Sequence, residues 1–167
     1  QMAVPVPAGV DQKSASFAPV AAIAMQAVRR SGAGLGETVA VIGLGLVGLL
    51  TRPSLRRAGC IVIGFDPKPA KVQASLGSGA VESVQDDAAA LKAVEKATGG
   101  LGADAVVICA ASDSDDPINL AAALCRERGR VVVVGDVGLG ADREQFYRKE
   151  LDLVMSRSLG PGRYDPN

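Results

Sequence analysis

Gly43, Gly45 and Gly48 stand at G-x-G-x-x-G spacing, and Asp66 follows roughly 20 positions later, a combination that can hold a phosphate and a ribose. The glycines lie in Val39-Ala-Val-Ile-Gly-Leu-Gly-Leu-Val-Gly48, where a β-branched apolar run gives way to helix-like sequence. Gly43 permits a tight turn off a strand, Gly45 lets backbone approach a pyrophosphate, and Gly48 lets the next helix pack closely on the strand. The N–H groups that open that helix, around Leu46, Val47 and Gly48, lack intrahelical partners and carry partial positive charge, so they can hold phosphate oxygens. The glycines alone would also suit a plain strand–turn–helix corner. Asp66 alone would suit a cap or turn before Pro67. Asp66 closes a second apolar run, Cys60–Phe65, where a carboxylate can accept hydrogen bonds from the adenine ribose hydroxyls. Strand, glycines, helix, strand and acid together read as a dinucleotide-binding fingerprint. A carboxylate there favours NAD over NADP, whose 2′-phosphate would meet a like charge, although Lys68 carries the opposite charge nearby.

The elements needed to position these residues recur along the chain. Gln1–Val10 alternates Val and Pro and excludes a regular helix. Apolar spacing predicts a helix over Ser14–Arg30, with Arg29-Arg30 a favourable charge at its end. A strand follows over Thr38–Ile42, a helix over about Leu46–Ala58, a strand over Cys60–Phe65 and a helix over about Pro69–Leu76. Gly77–Ala80 reads as a turn and Val81–Val84 as a short third strand. Asp86 or Asp87 caps a helix to about Ala97, and Ala103–Cys109 is a strand buried on both faces. Asp116-Pro117 opens a helix to about Glu127, ended by Gly129, and Arg130–Val134 is the fifth strand. Asp142–Lys149 is a short helix and Leu151–Met155 a sixth strand. This alternation predicts an α/β fold, a doubly wound parallel (Rossmann) sheet of about six strands with helices on both faces. The cofactor would lie across the strands' carboxyl ends, at the switch between strands one and four. Pro53 conflicts with the first-fingerprint helix, and a kink or a relaxation near Thr51 is expected.

Composition limits the remaining chemistry. The chain has 167 residues, no net formal charge, three cysteines and no histidine. Without a basic block, nucleic acid is not an expected partner. No apolar run approaches the ~20 residues of a membrane span and no signal-peptide pattern opens the chain, so a cytoplasmic protein is expected. Cys60, Cys109 and Cys125 form no C-x-x-C pair and read as buried thiols of a reducing compartment. With no imidazole, there is neither a histidine proton shuttle nor a histidine metal ligand. Tyr147 and Lys149 are two apart and do not share a helical face. No catalytic residue is assigned.

These segments resemble the zinc-type alcohol dehydrogenases, the medium-chain dehydrogenase/reductases, over nearly the whole chain. Gly36-Glu-Thr-Val-Ala-Val-Ile-Gly-Leu-Gly-Leu-Val-Gly48 resembles the family's first βα turn. Asp66 with Lys71 is similar to its adenosine-ribose pair, and Gly99-Gly-Leu-Gly-Ala-Asp-Ala-Val106 to the lead into its fourth strand. Gly129-Arg-Val-Val-Val-Val-Gly135 resembles its fifth strand, which faces the nicotinamide. Phe146 to Pro166 resembles bi-domain oxidoreductases linked to polysaccharide biosynthesis. The resemblance implies an NAD(H)-binding domain, residues 14–159, between the remnant of a catalytic domain (1–13) and a tail (160–167). Zinc would belong to the catalytic domain lying outside this sequence, and the substrate would be an alcohol or carbonyl, such as a sugar or polyol. It also implies that Ala110 and Ala111 leave room for a ribose, and that Gly135, Asp136 and Val137 face the nicotinamide. Arg157 would either reach the cofactor or pair with a carboxylate, and the Asp cluster in Ser112–Asp116 reads as a solvated cap of the next helix. The last strand offers an edge for a homodimer. Two other readings stay open: a non-catalytic NAD(H)- or nucleotide-sensing domain, and a methyltransferase with an adenosyl-sulfonium cofactor, which would carry no pyrophosphate site.

Overall fold

The computed structural model describes residues 4–76 and 82–163. The predicted turn at Gly77–Ala80, Val81 and the end of the tail lie outside them. Six parallel strands form one sheet in the order β3-β2-β1-β4-β5-β6. They are β1 (Thr38–Ile42), β2 (Ile61–Phe65), β3 (Glu82–Val84), β4 (Ala103–Ile108), β5 (Cys125–Val133) and β6 (Asp152–Met155). This is the doubly wound sheet expected, and its order reverses between β1 and β4, where a crevice opens at the carboxyl ends.

Helices cover both faces. They are α1 (Gln12–Ser16), α2 (Ala18–Ser31), α3 (Leu46–Arg57), α4 (Pro69–Ser75), α5 (Asp87–Thr98), α6 (Asp116–Leu124) and α7 (Arg143–Arg148). Alternation along each strand splits the core in two. Val39, Val41, Val62, Ala105, Val107 and Val132 pack with Ala27 and Leu55 on the α2/α3 face. Ala40, Ile42, Ile63, Val106 and Val131 pack with Ala93 and Ile118 on the α5/α6 face. β1 is buried throughout because it has neighbours in both directions and helices above and below.

Several boundaries depart from the sequence reading. The single helix expected over Ser14–Arg30 is two, joined at Phe17. Pro19 sits in the first turn of α2, where its missing N–H is tolerated, so a helix restarts there. Of the two caps the sequence offered for α5, Asp86 serves, accepting the Ala89 N–H at 2.8 Å, in agreement with that reading. α6 ends at Leu124, ahead of the glycine expected to stop it. Lys149 Nζ donates to the carbonyls of Ala122, Ala123 and Cys125, satisfying the open end of the helix at that point. β5 therefore begins at Cys125, and its register against β4 shifts between Ala103 and Ala105. α3 does not relax at Thr51: it runs through Pro53 to Arg57. Among the described residues, no helix is long and apolar enough to cross a membrane.

Candidate functional site

The glycine-rich turn is shaped by contacts from both neighbouring strands. Gly43 takes φ +95° and donates its N–H to Phe65 O at 2.8 Å. A Cβ at Gly43 would come within 2.5 Å of Ala110 N, so β4 crowds the turn from the other side. Gly48 brings α3 against that same turn, and a Cβ there would strike the Gly43 carbonyl oxygen. Gly45 differs: the nearest atom to a Cβ would be Lys71 Nζ at 3.9 Å. It borders open space.

Gly45 is the N-cap of α3, and no side chain caps the helix. Its first turn, Leu46, Val47 and Gly48, carries no acidic residue that would compete for the open N–H groups. Such a turn suits an anion.

Asp66 is 3% exposed at the tip of β2. Leu44 N–H donates to its Oδ2 at 2.9 Å, Lys68 N–H donates to its Oδ1 at 3.0 Å, and Lys71 Nζ lies 3.4 Å from Oδ2. The carboxylate thus ties the glycine turn to the loop after β2. Like-charge repulsion alone is a weaker discriminator against a 2′-phosphate than the sequence implied, because Asp66 is already ion-paired.

A cleft of about 540 Å³ joins these parts, with Gly43, Gly45, Asp66, Lys71, Ala110 and Ala111 all on its walls. Leu46, Val47 and Gly48, which follow the cleft-lining N-cap Gly45, are not themselves on its walls. Gly135 backs the cleft: its N–H donates to Ile108 O at 3.0 Å, and a Cβ there would strike Ala110 O. Asp136 accepts the Ser112 N–H at 2.9 Å through its carbonyl. Neither Gly135 nor Asp136 lines the cleft. The walls also include Lys68, Asp87, Cys109, Ser112, Ser114 and Asp116. Asp87 was legible only as a helix cap, and it enters the cleft because α5 starts beside β3.

Asp113, Asp115 and Asp116 are exposed, as the sequence reading had it, but the capping differs. Asp115 occupies the N-cap position of α6 in αR conformation and makes no side-chain cap hydrogen bond. Its Oδ1 instead accepts the Gly140 N–H at 2.8 Å, across to the loop after β5.

Cys109 lies on the cleft floor with its sulfur 3.8 Å from Thr51 Oγ1. Burial pushes its thiol up to about 11, and burial pushes Cys125 up to about 12. The thiolate is the reactive form, so iodoacetamide at pH 8 should leave both unmodified over hours, as mass spectrometry would show. The same shifts fix a sign: the folded state holds these protons more tightly than the unfolded state. Stability should therefore fall as pH rises from about 9 through 11 and 12. Rapid alkylation of Cys109 would contradict this.

The model of the family described as "Zinc-binding dehydrogenase" matches residues 47–166. The chain belongs to this family. The sorbitol dehydrogenase of Halalkalibacterium halodurans is 28% identical over 96% of the chain and 48% of its own length. The L-galactonate-5-dehydrogenase of Escherichia coli K12 is 29% identical over 92% of the chain and 45% of its own length. Among solved structures, a protein of Sinorhizobium meliloti 1021 assigned as a zinc-binding dehydrogenase and bound to NADP superposes with TM-score 0.79 at 26% identity. That match covers 95% of this chain and 48% of the other. The chain spans about half the length or less of the curated relatives it matches.

The family name implies a metal, and the described residues do not fit one. Among the described residues, no group of three His, Cys, Asp or Glu side chains could hold a metal ion. The dinucleotide implied by the family fits better, with a glycine turn, an uncapped helix start and a carboxylate converging on one cleft.

Proposed function

We propose that this chain is the NAD(H)-binding domain of a zinc-type medium-chain dehydrogenase. It would position the nicotinamide for hydride transfer to or from an alcohol or carbonyl, such as a sugar or polyol, bound by a catalytic domain outside this sequence. The observation carrying this reading is the bond between Leu44 N–H and Asp66, which ties the phosphate-binding turn to a carboxylate at ribose-binding position. The first turn of α3, at Leu46, Val47 and Gly48, would take the pyrophosphate, and Asp66 with Lys71 the adenosine ribose. Ala110 and Ala111 would flank the chain of the cofactor, with Gly135 and Asp136 behind its nicotinamide end. The bound nicotinamide supplies hydride chemistry, and this chain contributes binding and orientation. No acid–base residue is assigned to it. Zinc belongs to the catalytic domain in this reading.

NAD(H) is preferred over NADP(H) because Asp66 is fixed at the ribose edge and no arginine lines the cleft among the described residues. A nucleotide-sensing role is the alternative. The match of the family model as far as residue 166, well beyond β5, favours the dehydrogenase.

Titration of the chain with NADH and NADPH, by fluorescence or calorimetry, tests the reading. Asp66→Ala should weaken NADH by roughly tenfold or more, the range for a hydrogen bond to a charged group, and should narrow the margin over NADPH. Absence of binding by either nucleotide at millimolar concentration would sink the dinucleotide assignment. Tighter binding of NADPH than NADH by the unaltered chain would overturn the preference for NAD.

A further inference from the structure

The two sides of the cleft are built differently. Asp66 and Lys71 stand over β2, so a dinucleotide with its adenosine there lays its other half over β4 and β5. The loop after β5, residues 136–141, does not itself line the cleft but is bonded to the loop after β4, whose Ala110, Ala111, Ser112 and Ser114 do. It has modest apolar anchoring: Val137 and Ala141 pack partly against the core, while Leu139 is exposed.

A ladder of hydrogen bonds to the loop after β4 supplies the rest. Ser112 N–H donates to Asp136 O at 2.9 Å, Gly138 N–H to Ser114 O at 3.2 Å, and Gly140 N–H to Asp115 Oδ1 at 2.8 Å. Asn119 Oδ1 then accepts the Asp142 N–H at 2.9 Å. Asp115 is the one side chain of the loop after β4 that crosses to a backbone donor of the 136–141 loop in this ladder. A helix N-cap aspartate ordinarily accepts from its own first turn, and this one does not. Gly138 and Gly140 make room for it. A Cβ at either would strike the Asp115 carboxylate, and neither glycine has positive φ. Their missing side chains serve the carboxylate and not the backbone angle.

We propose that Asp115 is a positioning residue for the nicotinamide half of the cofactor, acting through the Gly140 N–H to fix the 136–141 loop. This rests on the dinucleotide reading above. Asp115 itself touches no cofactor.

The test compares NADH with ADP-ribose, which keeps the adenosine, both phosphates and both riboses but has no nicotinamide. Asp115→Ala should weaken NADH roughly three- to tenfold, the scale of one exposed hydrogen bond to a charged acceptor, and leave ADP-ribose within about twofold. Asp115→Asn keeps an oxygen acceptor and should restore most of the NADH affinity. Gly140→Ala should reproduce the selective loss, and adding Asp115→Ala to it should recover part, since the colliding carboxylate is then gone. Amide exchange should show Gly140 N–H losing protection in Asp115→Ala without any ligand. Equal weakening of both ligands, or no change in either, overturns the proposal while the dinucleotide reading stands. If the unaltered chain binds neither NADH nor ADP-ribose, both readings are overturned.

Discussion

Gly48→Ala should destabilise the chain by about 2–4 kcal/mol, seen as a lower urea midpoint, whereas Gly45→Ala should leave the midpoint nearly unchanged. The two glycines belong to one motif and sit three residues apart, yet their surroundings are opposite. A Cβ at Gly48 meets the Gly43 carbonyl, a backbone atom held in place by the Gly43 N–H bond to Phe65 O and by Ala110 behind it. Relief requires α3 to move off the turn, which also pulls Leu44 N–H from Asp66. The helical preference for alanine, about 1 kcal/mol, is too small to compensate. At Gly45 the backbone is extended, with φ −77° and ψ −167°, and a Cβ has no neighbour nearer than the end of a lysine. Its methyl would point into the space a pyrophosphate needs. Gly45→Ala should therefore lower NADH affinity on the order of tenfold with the fold intact, as calorimetry on the two variants would show. Equal midpoints for the two variants would refute this division of labour.

That division explains what the sequence could and could not show. The β-branched runs of β1, β2 and β4, the glycine spacing and Asp66 are local patterns, so the sheet and the strand–turn–helix corner were legible. The spacing also assigned access to Gly45 and packing to Gly48, but how tightly each is enclosed depends on atoms far along the chain, such as Ala110 and Lys71. The end of α6 was misplaced for the same reason. Gly129 is a local stop signal, but Lys149 arrives from the far side of β5 and caps the helix earlier. Asp115 reads locally as a cap, and only the return of the chain through Gly140 gives it another partner. The break at Phe17 was missed because apolar periodicity continues across it, while Pro19 interrupts the hydrogen-bond ladder. Local chemistry set the elements, and long-range partners set their ends.

Arg52 was hidden by that same limit, and it leads to the second large effect. In sequence it is one charge in a helix that also contains Arg56 and Arg57, with nothing local to mark it out. In the fold it is 0% exposed, and Nε, Nη1 and Nη2 have no hydrogen-bond partner among the described residues. Its Cζ lies beside Gly64 of β2, where a Cβ would come within 3.3 Å of it and within 3.2 Å of Ser83 Oγ. Ser83 Oγ accepts a hydrogen bond from Ser75 Oγ at 3.0 Å and makes none with the guanidinium. Desolvation lowers the Arg52 pKa from its usual value, the signature of a charge removed from water without compensation. A buried unpaired cation opposes folding, and replacing buried charge by an apolar side chain of similar length often stabilises by about 1–4 kcal/mol. Arg52→Met should therefore raise the urea midpoint by an amount within that range at unchanged m, because methionine fills the same channel without polar atoms. Arg52→Lys keeps the charge and should give no comparable gain. NADH affinity should be the same in both variants, since Arg52 does not line the cleft. A fall in midpoint for Arg52→Met with none for Arg52→Lys would show that the cation has an acceptor in solution, and the prediction would be wrong.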